Sequence, residues 1–418
     1  MLDPISLKRL ERRVLVTDSI IFMPFSVTSI FAHHVAKKNS IKNFCFIDNN
    51  EKKQTCTYDG IKVLSPAEAY RHYPTAAVCV TSVVYSKAMK EQLGRIGFVN
   101  YIPFESISRL SIDLSEASEI RDEGITDKFP ELRTYFKNPM YQIRQNLLPA
   151  SISALENPTI VENMILSITE QCTLKCRDCA NTMQYFKYPE HYIIKDIKRD
   201  IDRFFAAVDY VVCFGIVGGE PLLYPHITEV INYLGDYYRD KIGEVQIITN
   251  GMLRPKKELL EAMRTHRIRF FVSVYNDYSI KRDIIRQMSD EYGVECIMSD
   301  RSVWIDGGKI IDGEDRIEKE IQFEFEKCLN KLCRVLMNGI FTTCPLIGGA
   351  TKLGAIPVNP ENYVQLTENM PKNIIRDFLQ REQFYPACRY CNGFRWGDGN
   401  TIPSVVQVKE SLPYKKRA

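Results

Sequence analysis

Histidine is scarce in this chain of 418 residues: there are six, and none falls inside the residue clusters that carry the chemistry below. A conventional hydrolase built on a histidine base is thereby disfavoured. The chain also lacks any stretch of about eighteen uncharged apolar residues, and Met1 to Arg9 holds no unbroken apolar run of signal-peptide type. No membrane span is expected, and the cytoplasm is the default address. An excess of one charge is missing too. Lys and Arg number 55 against 52 Asp and Glu, a formal charge of +3, so no nucleic-acid partner is implied.

Cysteine, by contrast, is plentiful. Of thirteen cysteines, eight sit in two spaced groups. In a secreted chain they would suggest disulfides, but in a reducing compartment such groups read as metal ligands, with oxygen sensitivity to follow. Cys172, Cys176 and Cys179 stand in the order C-x3-C-x2-C directly after the apolar run Met164 to Ile168. Three thiolates hold a four-iron, four-sulfur cube and leave one iron open to a small molecule. A zinc knuckle, which wants a fourth Cys or His close by, and a disulfide cluster are the alternative readings.

The length allows two or three domains. From Arg13 to about Glu105, apolar runs (Val14 to Val16, Phe44 to Ile47, Ala77 to Val80) alternate with helix-like stretches such as Ala67 to Arg71 and Lys87 to Leu93. This is the pattern of a small α/β unit with a parallel sheet. Residues 1–110 resemble the Rossmann-like domains that precede methyltransferase and sugar-modifying modules, with Asp48 ending the second strand where such folds often place a ribose-binding acid. In place of a glycine turn after the first strand stand Met23, Pro24, Phe25, Ser26, Val27 and Thr28, so the unit is degenerate as a cofactor site. A scaffold, dimerisation or substrate-docking role is the simpler expectation. Residues 111–160 show no clear period and read as a linker with some helix.

Regular alternation resumes over residues 161–315. Strand-like runs at Ile165 to Thr169, Tyr210 to Ile216, Val245 to Thr249, Phe270 to Tyr275 and Val294 to Met298 are separated by helix-like segments at Asp196 to Val208, Ile227 to Tyr238 and Lys256 to Arg264. Repeated βα units build a parallel barrel or part of one, whose site lies at the C-terminal ends of the strands. After the second strand come Gly218, Gly219, Glu220 and Pro221, a turn in which two residues without Cβ let backbone groups approach a ligand.

Together the three-cysteine order and the GGEP turn closely resemble the radical S-adenosylmethionine superfamily, over roughly residues 161 to 300. The resemblance implies a partial (β/α)6 TIM-type barrel, a [4Fe-4S] cluster on Cys172, Cys176 and Cys179, and S-adenosylmethionine chelated by the open iron. Its reductive cleavage would give a 5'-deoxyadenosyl radical that abstracts a substrate hydrogen. Gly218, Gly219, Glu220 and Pro221 would bind the amino end of the methionine moiety. Thr249, Asn250 and Gly251 would meet the ribose or carboxylate, and Ser273 and Tyr275 would point to the barrel mouth to contact cofactor or substrate. Where the family has an aromatic residue before the third cysteine, this chain has Asp178, which puts the adenine contact in question. An electron donor such as flavodoxin or ferredoxin is implied.

Residues 316–418 carry the second group: Cys328, Cys333, Cys344, Cys388 and Cys391. Fifteen residues separate Cys328 from Cys344, 43 separate Cys344 from Cys388, and two lie inside the final pair. Cys344 follows a hairpin-like stretch from Leu336 to Thr343. The order resembles the twitch or SPASM-type extension of the same superfamily, most of all the single-cluster twitch form of a cyclitol dehydrogenase, and implies one auxiliary [4Fe-4S] cluster. Five thiols compete for four irons, so Cys328 or Cys333 is a bystander or one ligand yields to substrate; a zinc site is the alternative.

The expected function is hydrogen abstraction from a small-molecule or saccharide substrate, with dehydrogenation or epimerisation of a sugar, nucleotide sugar or cell-surface saccharide. In an epimerase a spare thiol returns hydrogen, and Cys213 and Cys296 are the barrel cysteines outside the clusters, each more simply read as a small buried hydrophobe. Tyr275 and Asp300 are further catalytic candidates, with Arg301 and Asp306 nearby. A SPASM-type peptide-modifying maturase and a non-catalytic metal-binding interaction module are the rival readings. Oligomeric state is not readable.

Overall fold

The structure, a computed structural model, describes residues 19–82, 86–108, 110–111, 115–137, 139–149, 152, 155, 157–395 and 400–417. Two compact units divide the chain, Met1–Glu156 and Asn157–Ala418.

In the first unit the strands are β1 Ser19–Met23, β2 Lys42–Ile47, β3 Thr57–Tyr58, β4 Ile61–Leu64, β5 Ala77–Val80 and β6 Tyr101–Pro103. They form one sheet in the order β3-β4-β2-β1-β5-β6, parallel except for the β3–β4 pair. The parallel strands, counted along the chain, run 3-2-1-4-5, the doubly wound order. Ile20, Ile21, Phe22 and Met23 are all fully buried, as expected where helices cover both faces of a sheet. The Val14 to Val16 run lies outside the described residues; β1 is the next apolar run and leads straight into Pro24.

Asp48 directly follows β2, yet its carboxylate is engaged inside the fold. It accepts from the Phe25 amide at 3.1 Å and the Asn50 amide at 2.9 Å, and Lys53 Nζ lies 3.2 Å away. Within the 111–160 stretch expected to be a linker, described residues between 117 and 143 belong to this unit's core. Ala117, Ile120, Ile125, Phe129 and Ile143 pack in the same apolar cluster as Phe22 and Phe31. Its buried residues are shared among several short helices, each too short to show a 3.6-residue period.

The second unit begins with five βα-type strands: β7 Ile160–Ser167, β8 Tyr210–Val217, β9 Ile242–Thr249, β10 Ile268–Val274 and β11 Cys296–Asp300. Each pairs in parallel with the next. Helices Ile194–Ala207, Ile227–Tyr238, Lys257–Thr265 and Arg282–Tyr292 connect them. Ile197, Ile201, Phe204 and Phe205 form the buried stripe of the first helix, and Phe205 stacks on Phe214 of β8 with ring centroids 6.2 Å apart. β7 starts earlier than its apolar run suggested because Glu162 and Asn163 interrupt the pattern.

The remaining strands are β12 Val303–Ile305, β13 Arg334–Met337, β14 Ile340–Thr342, β15 Tyr363–Gln365 and β16 Thr401–Pro403. The eight-stranded sheet runs β11-β10-β9-β8-β7-β13-β14-β15 and is an open arc. Its sixth parallel strand is therefore β13, from the C-terminal region, which joins β7 on the opposite edge from β11. β12 pairs with β16 instead. The expected hairpin is β13–β14, turned by Asn338 and Gly339 at φ 48° and 80°, values that favour exactly such Asn-Gly pairs. Among the described residues no helix is long and apolar enough to cross a membrane.

Candidate functional site

Cys172, Cys176 and Cys179 occupy the loop that leaves the C-terminal end of β7, and the GGEP segment leaving β8 holds that loop in place. The Gly219 amide donates to Thr169 O and the Glu220 amide to Gln171 O, both at 2.8 Å. A Cβ on Gly218 would stand 2.4 Å from Thr169 O, and one on Gly219 would stand 2.3 Å from Gln171 O. The glycines are thus needed for close packing of two loops, a reason nearer at hand than approach to a ligand.

Glu220 is fully buried and acts as a hub. Its carboxylate accepts from the Leu222 amide at 3.0 Å, the Thr249 hydroxyl at 2.8 Å and the Asn250 amide at 2.8 Å. Burial nevertheless pushes its carboxyl up to about 7. Asn250 passes the order onward: its side-chain Nδ2 donates to Thr173 Oγ1 at 2.9 Å and reaches Cys172 Sγ at 3.7 Å. Asn250 and Glu220 therefore meet the cysteine loop itself, and Thr249 is tied to it through Glu220.

Around the sulfurs the enclosure is apolar. Leu174, Cys176 and Val405 form its buried centre, with Cys172, Cys179, Met252, Tyr275 and Trp304 packed against them. The Tyr275 and Trp304 rings meet edge to face at 5.6 Å. Burial pushes the Cys172 and Cys176 thiols up to about 12 and raises that of Cys179. Each sulfur still faces N–H groups: the Leu174 amide at 3.4 Å from Cys172, Gln407 Nε2 at 3.3 Å from Cys176, and backbone of Asn181 and Met183 for Cys179. Such N–H donors suit thiolate sulfurs bound to metal, and three cysteines so arranged fit the implied cluster.

In the second group, Cys328, Cys344, Cys388 and Cys391 line one cavity. Burial raises all four thiols, and Cys344, Cys388 and Cys391 each feel the charge of Cys328. Cys333 does not line that cavity; burial pushes it up to about 11, and its cysteine neighbour is Cys213. Asn330 also lines the cavity, and its buried Nδ2 has no hydrogen-bond partner, a donor that fits a sulfur-rich group. The C-x2-C turn is held by Arg316, whose Nη1 donates to the carbonyls of Cys391 at 2.7 Å and of Cys388 and Arg389 at 3.3 Å. No group of three or more His, Cys, Asp or Glu among the described residues is arranged around a single metal ion.

A charged strut links the two cysteine groups. Asp178, beside Cys179, is buried and lies 2.9 Å from Lys309 Nζ and 2.9 Å from Arg177 Nε. Lys309 Nζ also lies 2.6 Å from Asp306, and its amide donates at 2.8 Å to Asn392, the neighbour of Cys391. The acid that stands where an aromatic was expected is thus the anchor of this strut.

Other sequence candidates are placed elsewhere. Ser273 shares the face of β10 that carries Arg269 and Phe271, opposite the core residues Phe270 and Val272, and hydrogen-bonds Tyr275. Cys296 lies opposite Phe270 and beside Ser289 of helix Arg282–Tyr292, on the helix side of the sheet and away from the cysteine loop. Cys213 sits four residues before the end of β8, about 13 Å of strand, beside Cys333. Asp300 is exposed and accepts from the Ser302 amide at 2.9 Å, closing a turn. Arg301 lies over the Phe271 ring at 5.7 Å. Gln407, Arg316, Lys309 and Trp304 were not singled out from sequence, because each reaches the site from a distant segment without a motif.

Residues 166–298 match the family model of the Radical SAM superfamily. GTP 3',8-cyclase 1 from two strains of Mycobacterium tuberculosis is 33% identical over 92 residues, 21% of this chain and 25% of the relative. The chain thus spans about a quarter of the length of the curated relatives it matches. Among solved structures, BtrN in complex with AdoMet and 2-DOIA is 15% identical with a TM-score of 0.37, covering 57% of this chain and 94% of that one. SuiB of Streptococcus suis bound to S-adenosylmethionine is 17% identical with a TM-score of 0.27, covering 41% and 36%. The chain carries a radical SAM domain within its second unit.

Proposed function

We propose that this chain is a radical S-adenosylmethionine enzyme that removes hydrogen from a carbohydrate-type substrate. The observation that carries the reading is the enclosure of Cys172, Cys176 and Cys179 on a loop fixed by Gly218, Gly219 and Glu220, inside the stretch that matches the superfamily. When bound, a [4Fe-4S] cluster with S-adenosylmethionine supplies a 5'-deoxyadenosyl radical there. The chain's own part is positional. The three cysteines hold the cluster, the Glu220–Asn250 hydrogen bonds keep the loop in register, and Tyr275 with Trp304 excludes water beside the sulfurs.

Cys328, Cys344, Cys388 and Cys391 would hold one auxiliary [4Fe-4S] cluster, with Cys333 outside it. That division is supported by the shared cavity, which Cys333 does not line, and by the nearness of Cys333 to Cys213. The carbohydrate reading rests on the twitch-like spacing of these four cysteines. Oxidation is favoured over epimerisation because Cys213 and Cys296, the barrel thiols that would return hydrogen, lie below the mouth and on the helix side. A flavodoxin or ferredoxin would deliver the electron, in the cytoplasm. Anaerobically reconstituted protein incubated with candidate sugars and nucleotide sugars tests this reading. Oxidised sugar formed in step with 5'-deoxyadenosine supports it, and 5'-deoxyadenosine that no sugar stimulates removes the substrate assignment.

A further inference from the structure

The last segment of the chain is built into the first cysteine loop. The Arg177 amide donates to Val406 O at 2.7 Å and the Val408 amide to Lys175 O at 2.8 Å, so Cys176 and Gln407 face each other in an isolated antiparallel bridge. Ser411 Oγ donates to Phe186 O at 3.0 Å and the Leu412 amide to Gln184 O at 2.8 Å. Val405, 1% exposed, packs on Leu174 and Cys176.

Within this ribbon the Gln407 amide is fixed at both ends. Its Oε1 accepts from the Lys175 amide at 2.7 Å, while Nε2 donates to Val405 O at 2.9 Å and reaches Cys176 Sγ at 3.3 Å. Because Lys175 N is a donor, the oxygen must be the end that faces it, and the N–H pair must face the sulfur. The other donors to these cysteines come from their own loop or from Asn250. Gln407 alone among the hydrogen-bond partners named here arrives from 231 residues away.

We propose that Gln407 is a positioning residue of the radical-generating site: its amide N–H orients the Cys176 sulfur and raises the reduction potential of the cluster bound there. The proposal rests on the reading that the first cysteine group holds a cluster. The physics is general. An N–H donor stabilises negative charge on a ligating sulfur, the reduced cluster carries more of that charge, and hydrogen bonds to sulfur are one of the levers that set such potentials.

The test uses full-length protein reconstituted anaerobically, as wild type, Gln407→Met, Gln407→Glu and Ser411→Ala. Iron and sulfide are counted, and the potential is titrated by following the EPR signal that changes on adding S-adenosylmethionine. Gln407→Met keeps the side chain's length without a donor, and Gln407→Glu keeps the acceptor toward Lys175. Both are expected to retain wild-type iron and to shift the midpoint negative by up to about tenfold in the reduction equilibrium, 59 mV for one electron. Ser411→Ala, which loosens the tail elsewhere, is expected to leave it unchanged. Unchanged midpoints and signals in both Gln407 variants overturn the proposal. So does loss of the cluster from both while Ser411→Ala keeps it, since Gln407 is then a folding residue only. A wild type that binds no cluster at all overturns the reading beneath it, and the proposal with it.

Discussion

The Thr249 hydroxyl donates to Glu220 across 2.8 Å, joining the ends of two neighbouring strands through a carboxylate with no solvent exposure. Glu220→Ala leaves the Leu222 and Asn250 amides and this hydroxyl without their acceptor, and is expected to cost about 2–4 kcal/mol in denaturant unfolding. The wild type should show a pH signature. Burial holds the folded carboxyl at about 7, above its ordinary 4.5, so the folded state keeps a proton that the unfolded chain releases. Its contribution is therefore complete below pH 4.5, declines as pH rises toward 7 and is gone above it. Glu220→Gln should flatten that slope; an unchanged slope means another group carries it.

Gly218 and Gly219 are expected to refuse even a methyl group, because the atoms a Cβ would strike are the backbone oxygens of Thr169 and Gln171. Gly219→Ala should cost about 1–3 kcal/mol and displace the cysteine loop. Iron analysis after reconstitution should show loss of one cluster with the other retained.

Alanine substitution of the second cysteine group sorts ligands from the bystander. Cys328→Ala, Cys344→Ala, Cys388→Ala and Cys391→Ala should each lower iron from about eight to about four per chain. Cys333→Ala should leave it near eight, since that thiol lies outside the shared cavity and near Cys213. Iron near four in Cys333→Ala would reverse the assignment.

Arg316 caps the C-x2-C turn through three backbone carbonyls and pairs with Glu324 at 2.6 Å. Arg316→Met should free that turn at a cost of about 1–3 kcal/mol. Selective loss of auxiliary iron on mild chelation, with the first cluster intact, is the readout.

The strands of the second unit were legible because β8 is buried along all eight residues and β10 keeps its apolar stripe, and the cysteine loop was legible because its motif is local. What could not be read lies in pairing between distant segments. β13 follows the second group's first cysteines yet joins the opposite edge of the sheet at β7, and no periodicity encodes which edge a strand chooses. Cys296 looked like a barrel thiol, but its register opposite Phe270 turns it to the helices. Residues 111–160 looked like a linker because the apolar side chains described there are divided among short helices. Gln407 and Lys309 carry no signal at all until the fold brings them to Cys176 and Asp178.

The most direct measurement is cofactor fragmentation by the reduced, reconstituted protein, with Cys176→Ala as its partner. The account predicts that dithionite and S-adenosylmethionine yield 5'-deoxyadenosine and methionine from the wild type, and none from Cys176→Ala. A wild type holding its full iron and sulfide that leaves S-adenosylmethionine intact under these conditions contradicts it.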